Sequence, residues 1–201
     1  TMTAPITLHS LSVSTMDNNC YLLVSGNKGL LIDAADDAPA LLALADGLGV
    51  SIETVVTTHR HADHVRALCD VLAATGATHL APAPDAEALP APVDRALEHG
   101  DIIDFDGHRL GVAILRGHTP GGLAISADID GQQHLFVGDS LFPGGVGKTT
   151  NPEDFEQLIT DVTERLFEVY PDDAIVHPGH GDGTTLGAER PHLDEWRARG
   201  W

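Results

Sequence analysis

Apolar and polar positions in the first third of the chain follow a strand rhythm. Ile6 to Val13, Cys20 to Val24 and Gly29 to Ile32 are short apolar or alternating runs separated by Ser, Asn, Asp and Gly, as in strands joined by tight turns. Pro39 to Leu48 changes to helical spacing, and Ile52-Glu53-Thr54-Val55-Val56 returns to a β-branched, buried strand. Val65, Leu68, Cys69 and Leu72 then fall on one helical stripe, in which Cys69 is expected to pack. Pro82-Ala83-Pro84 to Pro92 reads as a Pro/Ala-rich surface connection. Asp101 to Phe105, Arg109 to Leu115, Leu123 to Ala127, His134 to Val137 and Ala174 to His177 add five strand candidates. The strongest helix signal follows Asn151. Asn151 is a good N-cap, Pro152 suits the first helical position, and Phe155, Leu158, Ile159, Val162 and Leu166 share one face. A terminal helix reaches Trp196, and no internal repeat is visible.

Composition narrows the class. The 201 residues suffice for one domain over 1–201 that buries about 70% of its unfolded surface. The net charge of −19, with eleven Lys and Arg spread along the chain, argues against nucleic acid, which demands a basic track, and against anionic membranes. No apolar stretch reaches the roughly eighteen residues of a membrane span, and Thr1-Met2-Thr3-Ala4-Pro5 lacks a basic region followed by an apolar core. Thr1 ahead of Met2 reads as an appended residue. Cys20 and Cys69 are too few for a disulfide scaffold, so a cytoplasmic setting is expected.

The chemistry concentrates in seven residues. His59, His61, Asp63 and His64 follow the Ile52–Val56 strand directly. At a spacing of two, extended chain turns the imidazoles of His59 and His61 to one side, and the bend that follows lets Asp63 and His64 reach a neighbouring point. His118 sits in the Gly/Pro-rich turn Gly117-His118-Thr119-Pro120-Gly121-Gly122. Asp139 ends the strand Leu135-Phe136-Val137-Gly138, where a carboxylate can bridge two cations. His180 follows a strand and a glycine in Pro178-Gly179-His180-Gly181. Imidazole and carboxylate donors suit zinc, iron or manganese. His9, His79, His99, His108, His134 and His192 have no ligand context and read as bystanders.

These segments, with Leu31-Ile32-Asp33 and Gly138-Asp139-Ser140-Leu141-Phe142, resemble the metallo-β-lactamase-fold hydrolases, most closely the short glyoxalase II type. The resemblance spans nearly the whole chain. It implies an α/β fold, an αββα sandwich of two mixed β-sheets flanked by helices. It further implies two divalent metal ions, most simply zinc, one held by His59, His61 and His118 and the other by Asp63, His64 and His180, with Asp139 bridging. Asp63 and Asp139 would thus be catalytic, and Asp33 would support the ligands from behind. A pair of ions about 3.5–4 Å apart lowers the pKa of a shared water towards about 7, so that hydroxide can attack a thioester carbonyl without a protein nucleophile. The implied substrate is a thioester of a small thiol cofactor, glutathione- or mycothiol-like.

Gly144-Gly145-Val146-Gly147-Lys148-Thr149 superficially suggests a phosphate-binding loop, but that pattern needs glycine at position 142, which is Phe142. Lys148 instead matches a family lysine that holds a carboxylate of the thiol cofactor. Where the family has a tyrosine two residues on, this chain has Thr150, and no helical C-terminal domain follows within the 201 residues. Arg66 replaces a common glycine and Arg116 a common proline; each is equally a candidate for an anionic substrate and for a surface ion pair. The rival enzyme is a persulfide dioxygenase-like oxygenase of the same fold, with a single iron on His59, His118 and Asp139. A non-catalytic relative would be expected to have lost ligands, and all seven are present.

Overall fold

Turn residues decide where the first strands stop. Ser14 and Asp17 take left-handed backbone in the first hairpin and Gly26 does so in the second. The structure, a computed structural model, describes residues 3–201; Thr1 and Met2, and with them the reading of Thr1 as appended, lie outside it. One six-stranded sheet runs in sequence order: β1 (Ile6–Val13), β2 (Asn18–Ser25), β3 (Lys28–Ile32), β4 (Ser51–Val56), β5 (Thr78–Pro82) and β6 (Arg95–Leu97). Its first three strands are antiparallel and the rest join in parallel.

The second sheet contains β7 (Ile102–Phe105), β8 (His108–Leu115), β9 (Gly122–Ile129) and β10 (Gln132–Gly138) as an antiparallel meander. After the small hairpin of β11 (Leu141–Phe142) and β12 (Gly145–Val146), β13 (Ile175–Pro178) returns parallel to β10, and β14 (Thr184–Thr185) closes the edge.

Strand side chains alternate between two cores. From β2, Tyr21 and Leu23 point between the sheets, where they meet Leu30, Ile32, Val56, Val112, Ile125 and Phe136. Cys20, Leu22 and Val24 point the other way, against α1 (Ala38–Leu48) and α2 (Leu68–Thr75). After the one-turn α3 (Ala83–Ala86), α4 (Pro152–Val162) and the C-terminal α5 (Leu186–Glu189) and α6 (Leu193–Arg199) cover the outer face of the second sheet. The layers are therefore helix, sheet, sheet, helix, and both sheets are mixed. Asn151 caps α4 by accepting the Asp154 N–H at 2.8 Å, and Phe155, Leu158, Ile159 and Val162 are buried below it. Among the described residues no helix is long and apolar enough to cross a membrane.

Two expectations are corrected. Cys69 is exposed: Val65, Leu68 and Leu72 of the expected stripe pack on the core together with Val71, and Cys69 lies on the solvent margin of that stripe. The Pro82–Pro92 connection is anchored through Asp85, which is wholly buried, and the short strand β6 beyond it carried no apolar run long enough to be read.

An aromatic column of Tyr21, Phe136, His177 and His134 spans the inter-sheet core towards the β13 end, with His177 stacked on Phe136 at 4.8 Å and bonded to His134 at 2.9 Å. Burial, helped by His134, pulls the His177 pKa down to about 4. The unfolded chain then binds more protons than the folded one between about pH 4 and 6.5. The contribution, about 2–3 kcal/mol, is whole above pH 6.5 and declines as pH falls through that window. Metal-free His177→Phe protein should accordingly lose less thermal stability than the parent between pH 7 and 4.5. Equal losses in the two proteins would remove His177 from the acid response.

Candidate metal centre

Each candidate ligand stands at the end of a strand or in the turn just after it, because these are the positions where the sheet holds the backbone while side chains escape the core. The edge formed by the ends of β4, β8, β10 and β13 brings all seven together. One set comprises His59, His61, His118 and Asp139, the other Asp63, His64, Asp139 and His180. Within each, one nitrogen or oxygen per residue lies within 4.8 Å of all the others. Asp139 belongs to both. Its Oδ2 is 3.1 Å from His64 Nε2, 3.2 Å from His180 Nε2, 3.5 Å from His59 Nε2 and 3.6 Å from His118 Nε2. Asp63 Oδ2 lies 3.1 Å from His180 Nε2.

Hydrogen bonds behind the rings determine which nitrogen is free. His118 Nδ1 donates to the Lys148 carbonyl at 2.7 Å and His180 Nδ1 to the Met16 carbonyl at 3.0 Å. His64 Nδ1 donates to Asp33 Oδ2 at 2.8 Å. Thr58 spends its hydroxyl proton on Asp33, so its oxygen accepts from His59 Nδ1 at 2.9 Å. In all four rings Nδ1 carries the outward bond and Nε2 turns inward, the arrangement by which histidine ligands are oriented towards a metal. The buried His59 Nε2, His118 Nε2 and Asp139 Oδ1 have no hydrogen-bond partner at all. The two orphaned nitrogens both face Asp139 Oδ2, and buried polar atoms left unpartnered are costly in a folded protein unless a cation satisfies them; the donor set fits a divalent ion.

The charges agree. Burial opposes the Asp139 carboxylate, yet the surrounding imidazoles of His118, His180, His59 and His64 hold it far below the usual carboxylate range. Burial likewise works against charge on His64, but Asp139 and Asp33 prevail and push its pKa up to about 10. His59 and His61 are held below the ordinary histidine range by burial, which favours the neutral, coordinating form. Gly179 must lack a side chain: a Cβ there would collide with Asp139 Oδ1 and His64 Cε1.

Asp33 is bonded to His64 and to Thr58, whose N–H it accepts at 2.7 Å. The other substrate candidates differ in their surroundings. Arg116 is committed to the buried Asp161 through two parallel 2.9 Å bonds, and Arg66 is an exposed ion-pair partner of Asp36 at 3.8 Å. The Lys148 backbone supports His118, as noted, and its ammonium takes part in no ion pair among the described residues. Sequence reading missed Asn18. Its Nδ2 donates to Asp63 Oδ2 and to the Asp63 carbonyl, both at 3.1 Å, and with burial opposed, this bond and His64 keep the Asp63 pKa low.

Comparison with known proteins matches residues 14–180 to the model of the Metallo-beta-lactamase superfamily. The chain is 29% identical over 201 residues to a hydroxyacylglutathione hydrolase GloC of Haemophilus influenzae, covering 90% of this chain and 93% of the relative. It is 37% identical over 168 residues to a hydroxyacylglutathione hydrolase of Fuscovulum blasticum, of whose length the match spans 62%. Among solved structures, TTHA1623 in a di-iron-bound form superposes with a TM-score of 0.76 at 32% identity, covering 90% of this chain and 96% of that one.

Proposed function

The chain belongs to the metallo-beta-lactamase superfamily, and on that premise we propose that it hydrolyses a thioester of a small thiol cofactor, glutathione- or mycothiol-like, to a carboxylic acid and the free thiol. The observation that carries this reading is the pair of complete donor sets sharing Asp139, with four Nε2 atoms turned towards it. The relatives named hydroxyacylglutathione hydrolase support the thioester.

In this reading His59, His61 and His118 would hold one divalent ion and Asp63, His64 and His180 the other, with Asp139 common to both sets. Zinc is the simplest occupant, with iron or manganese also suited to these donors. When bound, two such ions supply a nucleophilic hydroxide near neutral pH and polarise the acyl carbonyl. The chain's own part is orientation. Asp33, Thr58, Met16 and the Lys148 carbonyl fix the rings, and Asn18 holds Asp63 with its carboxylate turned towards His180. Hydrolysis would add water across the thioester, forming a C–O bond to the acyl carbon and breaking the C–S bond, with the acid leaving as carboxylate, the sulfur as thiolate, and the two protons of water passing to solvent. The Lys148 ammonium is the group we assign to a substrate carboxylate, with Arg66 a more distant candidate. Two unpaired cysteines, Cys20 and Cys69, accord with a reducing, cytoplasmic setting.

The mononuclear oxygenase reading leaves His61, Asp63, His64 and His180 without a task. Elemental analysis of untagged protein purified without chelators, followed by assay on a thioester panel, separates the two. Two divalent ions per chain and thioester turnover are expected; one iron per chain with no thioester cleavage would overturn the proposal.

A further inference from the structure

Asp85 sits in the segment that reads as a surface connection, yet its side chain is wholly buried. One carboxylate oxygen accepts the Arg60 N–H at 3.0 Å and the other accepts the Gly121 N–H at 3.1 Å. Arg60 stands between His59 and His61, and Gly121 lies three residues beyond His118. The Arg60 guanidinium adds a 3.1 Å contact to Oδ1 and reaches the Pro84 carbonyl at 2.7 Å. The fit leaves no slack, since a Cβ on Gly121 would lie 2.6 Å from Pro84 Cγ. A carboxylate is buried this fully only where its hydrogen bonds are strong and fixed.

Just past the end of β4, the Thr58 carbonyl accepts the N–H of Leu123 at the start of β9 at 2.9 Å, which ties the two sheets together below the loops. Beyond the strand ends, where the imidazoles are, Asp85 touches both loops at once. The other donor set is anchored elsewhere: His64 on Asp33, Asp63 on Asn18 and His180 on the Met16 carbonyl.

We infer that Asp85 is a positioning residue for the His59, His61 and His118 set alone, fixing the separation of the two loops so that three imidazoles converge on one ion. This inference rests on the two-ion reading above. An amide at this position presents an NH₂ group to one of the two backbone N–H donors, so Asp85→Asn opens one side of the clamp while nearly preserving volume.

Metal-free parent and Asp85→Asn proteins are titrated with zinc, and the histidine rings are followed by nitrogen NMR. The ion on His59, His61 and His118 should bind about 10–100-fold more weakly in the variant, with those three rings losing their zinc-induced shifts first, while His64 and His180 respond as in the parent. Equal weakening of both ions, or no weakening of either, would overturn the assignment. A parent that takes up fewer than two zinc ions would instead refute the two-ion reading, a distinguishable failure. Should Asp85→Asn not fold, hydrogen exchange in the metal-free parent decides: the Arg60 and Gly121 amides should be protected, and exchange at the rate of an open loop would overturn the inference.

Discussion

Changing Asp139 to alanine is expected to abolish binding of both metal ions and to lower turnover by about 10³-fold or more, with the fold retained. The size follows from position. Asp139 Oδ2 lies between 3.1 and 3.6 Å from the Nε2 atoms of four histidines drawn from both donor sets, so one truncation removes the shared donor of each. Losing Lewis-acid and nucleophile activation together costs several kcal/mol at the barrier, and about 4 kcal/mol is a thousandfold. The fold should survive, because Asp139 lies beyond the hydrogen-bonded part of β10 and contributes nothing to the apolar core around Leu135 and Val137. Metal analysis, circular dichroism and turnover measured on the same preparation check all three parts. A variant that keeps two ions, or keeps its turnover, would refute the bridging role.

The second large effect is expected at Asp33. Its two oxygens receive the Thr58 N–H, the Thr58 hydroxyl and His64 Nδ1–H, all within 2.8 Å, at a position 2% exposed. Asn at this position would accept the left-handed backbone, φ 64°, as readily as Asp does, so Asp33→Asn tests the charge and the acceptors without backbone strain. The amide must turn an NH₂ group towards one of three donors, and His64, which the two carboxylates keep protonated in the metal-free protein, loses one of them. Breaking a buried pair in this way costs about 3 kcal/mol of stability and about 10–100-fold in metal affinity. Chemical denaturation of the metal-free variant and a zinc titration read the two losses separately. Affinity unchanged from the parent would show that His64 is oriented without Asp33.

Local features were legible where they depend on near neighbours. The α4 helix was readable from Asn151, Pro152 and its apolar face because capping and 3.6-residue periodicity are properties of a short window. His59, His61, Asp63 and His64 were readable because four residues of ligand type stand within six positions after a strand. Cys69 was misplaced because it stands at the edge of the apolar stripe of α2, where Val71 on the other side is buried instead, and periodicity does not decide which flank of a stripe is covered.

What remained hidden depends on chain separation. Asn18 meets Asp63 across 45 residues and Asp85 meets Gly121 across 36. Lys148, read for its ammonium, supports His118 through its backbone carbonyl, which every residue type possesses. Arg116, open in the sequence between an anionic substrate and an ion pair, is bound to the buried Asp161 of α4. The sequence by itself determined the strand and helix signals, the ligand types and the strand ends that carry them, since these follow from side-chain chemistry and local periodicity. Only the tertiary structure decided which nitrogen of each histidine faces inward, which buried carboxylates hold the loops in place and which arginines are already paired. Those outcomes turn on sheet register and on contacts between distant segments, where a shift of one residue would exchange a buried partner for solvent.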